Sequence, residues 1–163
     1  MPANVPPIPE DFHSITPHLV VRGVVAAVDF YQQAFGAREL FRNRAPDGES
    51  VIHSEMLLGD SRFFVNDEFP DHGVFSPREY GGTAVTLHLY VEDVDTVFQR
   101  ALQAGAEVLL PLADQFWGDR YGIVADPFGH KWSLASRLED LSPEETNRRA
   151  KEFFQENPDH DKG

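Results

Sequence analysis

Cysteine is absent from the 163 residues, which excludes disulfides and thiolate metal sites. Long apolar runs are absent too: no stretch approaches the roughly 18–20 apolar residues that a membrane span requires. The opening segment, MPANVPPIPEDF, lacks the basic-then-apolar order of a signal peptide. Positive charge is scarce. The chain carries 14 Lys and Arg against 27 Asp and Glu, a net charge of −13. A field of that sign repels phosphate backbones and anionic lipid surfaces, so nucleic acid and membranes are not expected as partners. The expected setting is cytoplasmic, with a small-molecule ligand or another protein as the partner.

What is present is one pattern written twice. TPHLVV at 16–21 recurs as TLHLYV at 86–91, an offset of 70 residues. Each copy is followed by a helical period. Val24, Val28, Tyr31 and Phe35 share one face before Gly36; Val94, Val97, Phe98, Ala101 and Leu102 share another between the N-cap Asp93 and Gly105. Each half then holds a further extended run and a hairpin, turning at Gly59-Asp60 in the first half and at Asp-Pro-Phe-Gly (126–129) in the second. Aligned on these turns, SRFFV at 61–65 matches HKWSL at 130–134, an offset of 69. The expected fold is α+β: two tandem β-α-β-β-β modules forming curved mixed sheets around a cavity, plus a C-terminal helix. The chain divides into an N-terminal extension (1–12), a first module (13–66), a linker (67–82), a second module (83–137), a C-terminal helix (138–157) and a tail (158–163). Ser142, Pro143 and Glu145 form a helix start with a capping box, and Thr146, Ala150, Phe153 and Phe154 make a stripe that should dock on the domain or on a partner.

Strand residues alternate sides. Val85, Leu87, Leu89 and Val91 form an apolar face expected under the helix, leaving Thr86, His88 and Tyr90 on the other side. In the first copy Leu19 and Val21 are expected under the helix and Thr16, His18 and Val20 opposite. Paired polar-aromatic faces of this kind suit a ligand cavity.

The duplicated unit, the helix end VDFYQQAFGA and the stretch WGDRYGIVADPFGHKWSLA resemble the vicinal oxygen chelate superfamily, which includes glyoxalase I, bleomycin-resistance proteins and extradiol dioxygenases. The resemblance spans residues 13 to 137 and is strongest to the glyoxalase-like branch around the phosphonate-operon protein. It implies homodimers whose cavities are completed between subunits. In the metal-dependent members a divalent ion acts as a Lewis acid, held by His or Glu at four strand positions. Carried over, those positions fall at Thr16, Phe64, Thr86 and Ser133. A phenyl ring cannot coordinate and neutral hydroxyls are poor ligands, so the resemblance comes without the usual metal set.

Two further histidines, His18 and His88, lie two residues beyond the first and third of those positions on the same strand faces. They are candidates for ligand contact or for an offset divalent site. Glu55, with His53 on the same face, adds a carboxylate. Arg62 and Lys131 correspond across the repeat and point toward the cavity, where they would meet an anionic ligand or an acidic rim residue. Trp117, Arg120 and Tyr121 suit a planar or carboxylate-bearing ligand, with pairing of Asp119 to Arg120 as the competing reading. His130 is expected to stabilise its turn or to sit under the last helix. The leading functional reading is a glyoxalase/bleomycin-resistance-like protein that binds a small anionic or aromatic molecule without a cofactor. The alternatives are a lyase, isomerase or dioxygenase-type enzyme using an offset site near His18 and His88, and an interaction module.

Overall fold

The repeat becomes two sheets of identical topology. The computed structural model describes residues 5–161; the first four residues of the N-terminal extension and the last two of the tail lie outside them. The first module runs β1 (His18–Val21), α1 (Val24–Phe35), β2 (Arg38–Arg44), β3 (Val51–Leu58) and β4 (Ser61–Asp67). The second runs β5 (Thr86–Tyr90), α2 (Val94–Gln103), β6 (Glu107–Asp114), β7 (Asp119–Ala125) and β8 (Lys131–Arg137), with α3 (Pro143–Glu156) after it. The strand orders are β1-β4-β3-β2 and β5-β8-β7-β6, with β1 parallel to β4, β5 parallel to β8 and the remaining pairs antiparallel.

Each first helix is anchored by a side chain from the end of its own sheet. Gly23 has no side chain with which to cap α1, so the Asp67 carboxylate accepts hydrogen bonds from the Gly23 and Val24 amides, both at 3.0 Å. In the second module Ser136, 69 residues later, accepts from the Val94 amide at 3.0 Å. Asp93 adds a conventional N-cap to α2 through Thr96. Gly122 is demanded by packing: a Cβ there would lie 2.8 Å from the Phe98 ring and 3.0 Å from the Leu110 carbonyl oxygen.

The helix-side faces of the two sheets share one core. Tyr31 touches Phe63 of the first sheet and Trp132 of the second, ring centroids 5.5 Å away in each case. Phe63 and Trp132 themselves meet at 6.0 Å, and Phe35 lies 4.7 Å from Trp132. Aromatic pairs of this kind add about 0.5–1.5 kcal/mol each beyond the area they bury. Both helix-side faces point into this seam, with α1 against α2, so the polar face of each sheet lies on the side away from it.

The Asp-Pro-Phe-Gly turn ties the modules together. Asp126 is 4% exposed, and its carboxylate accepts four hydrogen bonds. The Tyr31 hydroxyl of the other module donates at 2.7 Å and the Trp132 indole at 3.0 Å. The Phe128 and His130 amides donate at 2.9 and 3.0 Å. The His130 ring crosses to the first module, where its Nε2 meets the Val20 carbonyl at 2.9 Å. The backbone of His130 thus closes the turn as expected, while its ring joins the two modules instead of lying beneath the last helix. The inter-module segment closes over the turn: Arg78 donates to the Pro127 carbonyl, and Pro77 is so close that a Cβ on Gly129 would stand 3.1 Å from it.

The helix-facing strand residues behave as expected except at β5. Leu19 and Val21 are buried, whereas Leu87, Leu89 and Val91 are only half-buried and Val85 is 66% exposed. The reason is that α2 lies over β6, β7 and β8, which leaves the underside of the edge strand β5 along the seam. At the C-terminal end Ser142 caps α3 through the Glu145 amide as read, and Phe153 docks on Phe116 at 5.2 Å while Phe154 stays largely exposed.

Burial raises the Tyr31 phenol well above its ordinary value, reinforced by the charge of Asp126 and by the hydrogen bond to it. A phenol with a raised native pKa contributes stability that is complete below the unfolded value of about 10 and is lost as pH climbs through the native value. Wild-type protein is therefore expected to lose more stability between pH 9 and pH 11 than Tyr31→Phe does, measured by urea unfolding at both pH values. Equal losses would contradict the buried donor.

Candidate functional site

The outward faces carry the polar and aromatic side chains. On the first sheet the register sets His18 beside Phe64, Phe64 beside Glu55, and Asn43 beside His53. The rings cluster: His53 lies 4.5 Å from Phe64, His18 5.6 Å from Phe64 and 6.3 Å from His53. Arg62 shares this face but is already occupied. It contacts the Glu55 carboxylate, donates to Asp11 at 3.1 Å and covers the Phe12 ring at 4.9 Å. The acidic rim partner of the sequence analysis is thus real for Arg62, and Phe12 shows that part of the N-terminal extension packs on the sheet.

The second sheet's outward face is the more developed. Register places Thr86 beside Lys131, His88 beside Ser133, Tyr90 beside Ala135, and Tyr121 beside Ala135 on the other side. His88 Nδ1 and Ser133 Oγ are 2.7 Å apart. The His88 ring lies 4.5 Å from Tyr90 and stacks on Tyr121 at 5.8 Å, with an interplanar angle of 23°. Trp117 extends the row, 5.3 Å from Tyr121. Beneath the row lies Asp119, a buried carboxylate that accepts from the Trp117 indole at 3.1 Å and from the Tyr90 hydroxyl at 3.3 Å. Although Tyr90 is 61% exposed, its hydroxyl is turned in; desolvation there, with the Asp119 charge, raises its pKa. Lys131 forms no ion pair among the described residues, so this face offers a free ammonium, an imidazole held from behind by the buried Ser133 hydroxyl, and a row of rings.

Arg120 is not part of this face. Tyr121 points outward, so alternation turns its neighbour toward the helices. There the guanidinium pairs with Asp95 of α2 at 2.8 Å and with Asp114 of β6 at 2.9 Å, and neither the ligand role nor the pairing with Asp119 is what the structure shows. Tyr90, which alternation sets on this side without singling it out as a ligand contact, and Asp119, considered only as a partner for Arg120, complete the face. Both were legible: Tyr90 shares parity with His88, and Asp119 with Tyr121.

The four positions at which metal-dependent relatives hold their ion do not fit one here. Thr16 is half-buried ahead of β1, Thr86 is exposed, Phe64 has no donor atom, and Ser133 is already bonded to His88. Among the described residues no group of three or more His, Cys, Asp or Glu is arranged to hold a metal. His18 and His88 each find their ring neighbours within their own sheet, His18 with His53 and Phe64 and His88 with Tyr90 and Tyr121, and they make no contact with each other among the described residues.

The paired β-α-β-β-β modules, with their polar-aromatic sheet faces open, define the class of fold to which the chain belongs. Residues 12–134 match the Glyoxalase/Bleomycin resistance protein/Dioxygenase superfamily, and the chain belongs to it. An uncharacterized Mycobacterium tuberculosis protein is 47% identical over 135 residues, which cover 81% of this chain and 79% of that protein. Among solved structures, TioX from Micromonospora sp. ML1 is 30% identical with a TM-score of 0.61, covering 77% of this chain and 99% of that one. The PhnB protein from Bacillus cereus is 25% identical with a TM-score of 0.61, covering 76% and 99%. No helix among the described residues is long and apolar enough to cross a membrane.

Replacing Asp119 by Asn removes the charge that disfavours ionisation of Tyr90. The Tyr90 midpoint, followed by NMR of the tyrosine ζ carbon, is expected to fall toward the ordinary phenol value. An unmoved midpoint would show that the carboxylate does not act on it.

Proposed function

We propose that this protein binds a small aromatic or anionic molecule against the outward face of its second sheet, without a metal at the superfamily's usual positions. The observation that carries this reading is the continuous row Trp117, Tyr121, His88 and Tyr90, held from below by Asp119 and flanked by Lys131 and Ser133. Rings in such a row stack on a planar ligand, and an unpaired ammonium supplies the counter-charge for a carboxylate or phosphate. The face is open in a single chain. A homodimer that lays the His18–His53–Phe64 face of one protomer over the His88–Tyr121 face of its partner would enclose the ligand, and would bring the two imidazoles of the repeat to one cavity. Thr16 and Thr86, at the strand starts, would then lie at its mouth, with Glu55 and Arg62 supplying the opposite wall. The net charge of −13 supports a single small anion held by local cations over a polyanion drawn by the whole field.

Thermal-shift screening of small aromatic acids, followed by isothermal titration of hits, tests the reading. Tyr121→Ala and Lys131→Gln are each expected to weaken binding by about tenfold or more, the scale of one lost stacking or charge-assisted contact. A metal chelator is expected to leave the affinity unchanged. Binding that depends on added divalent ion, or that survives both substitutions, would overturn it.

A further inference from the structure

The seam between the modules has two flanks related by the internal repeat, and they are not equally filled. On one flank the Phe128 ring packs 6.3 Å from both Phe30 and Tyr31, and His130 reaches the Val20 carbonyl. On the other, the offset of 70 puts Arg100 where Phe30 stands and Ala101 where Tyr31 stands. The turn that faces them is Gly59-Asp60, two residues in place of the four of Asp126–Gly129, and it carries no ring. One flank is sealed by aromatic side chains; its counterpart lacks them both on the helix and on the turn.

The result is a groove. A hollow of about 670 Å³ is floored by Phe35, Leu58, Leu89, Val91 and Val97, with Arg100 on its lip. It adjoins, along the edge of β5, a second, more enclosed hollow of about 530 Å³ lined by Phe63, Leu87 and Trp132 and also by Arg62, His88 and Tyr90, where the groove meets the sheet faces. This is where the half-buried underside of β5 is left uncovered. The charged groups around the first hollow are Arg100, Arg137, Glu92 and Asp93. Arg137 is tied to Asp140, and the Asp93 carboxylate is committed to the Thr96 amide and hydroxyl. The Arg100 side chain forms no ion pair or hydrogen bond among the described residues, although its charge acts at longer range on Asp93, and Glu92 disfavours a ligand of more than one negative charge.

We infer that the first hollow of this flank is a second binding site, distinct from the sheet-face row and sharing only Tyr90 with it, for an aromatic monocarboxylate. The ring occupies the place that Phe128 fills on the sealed flank, resting on Leu58, Leu89 and Val97, and the carboxylate meets the Arg100 guanidinium. An apolar floor with one unpaired guanidinium at its edge selects this amphipathic shape, since guanidinium both stacks on rings and binds carboxylate through two parallel hydrogen bonds.

Titration of isotopically labelled full-length protein with 2-naphthoate, followed by amide NMR, tests the assignment. Shifts are expected at Gly59, Val97 and Arg100, and are expected to persist in Tyr121→Ala, in which the sheet-face site is impaired. Arg100→Gln, an exposed change that retains the folded spectrum, is expected to weaken binding at these amides by about tenfold or more, and the neutral analogue 2-naphthalenemethanol to bind correspondingly weakly. Shifts confined to sheet-face amides, an unchanged affinity in Arg100→Gln, or groove shifts produced by raising protein concentration alone would overturn it. The last result would give the flank to a second copy of the chain.

Discussion

The arrangement of the molecule depends on one buried carboxylate. Asp126 has no solvent to satisfy it and instead holds two side-chain donors and two amides. A charge so far from water is tolerated only when fully hydrogen-bonded, and removing a donor leaves it uncompensated. Because one of those donors, Tyr31, belongs to the other module, satisfying the charge and docking the modules are the same event. Docking through the helices in turn decides that the polar sheet faces look outward. The open ligand face and the unequal flanks of the seam are both consequences of that choice.

The duplication explains why the two halves resemble each other, and the differences between the copies explain where chemistry is available. Asp67 and Ser136 do the same capping work from equivalent positions, so they are interchangeable solutions to one backbone problem. Elsewhere the copies diverge. Phe64 and Ser133 are equivalent, yet one contributes a ring to an aromatic cluster and the other holds an imidazole. Arg62 is consumed by Glu55 and Asp11, while its counterpart Lys131 has no such partner among the described residues. The first sheet has spent its cation on neighbouring carboxylates. The second keeps an ammonium without an ion pair beside its row of rings.

The fold was legible because it is written in periodicity: strand alternation, helical stripes and a repeat offset are local quantities. The same alternation placed His18, His88, Glu55, Arg62, Phe64, Lys131 and Ser133 on outward faces, where the structure has them. It also forbids Arg120 and Tyr121 from sharing a face, a constraint that composition around Trp117 obscured. What local spacing does not carry is contact between distant segments. The Asp-Pro-Phe-Gly turn reads as a self-sufficient hairpin, and nothing near it announces that its aspartate answers to a tyrosine 95 residues earlier in the chain. The partial exposure of β5 was hidden for the same reason, since it depends on which strands a helix crosses.

The most direct test of this account is a double-mutant cycle on Tyr31 and Asp126, using Tyr31→Phe, Asp126→Asn and the double variant, with stability measured by denaturant unfolding. A buried, charge-assisted hydrogen bond joining the modules predicts a coupling free energy of about 1.5–3 kcal/mol. Additive single-variant losses, with no coupling between the two positions, would contradict it.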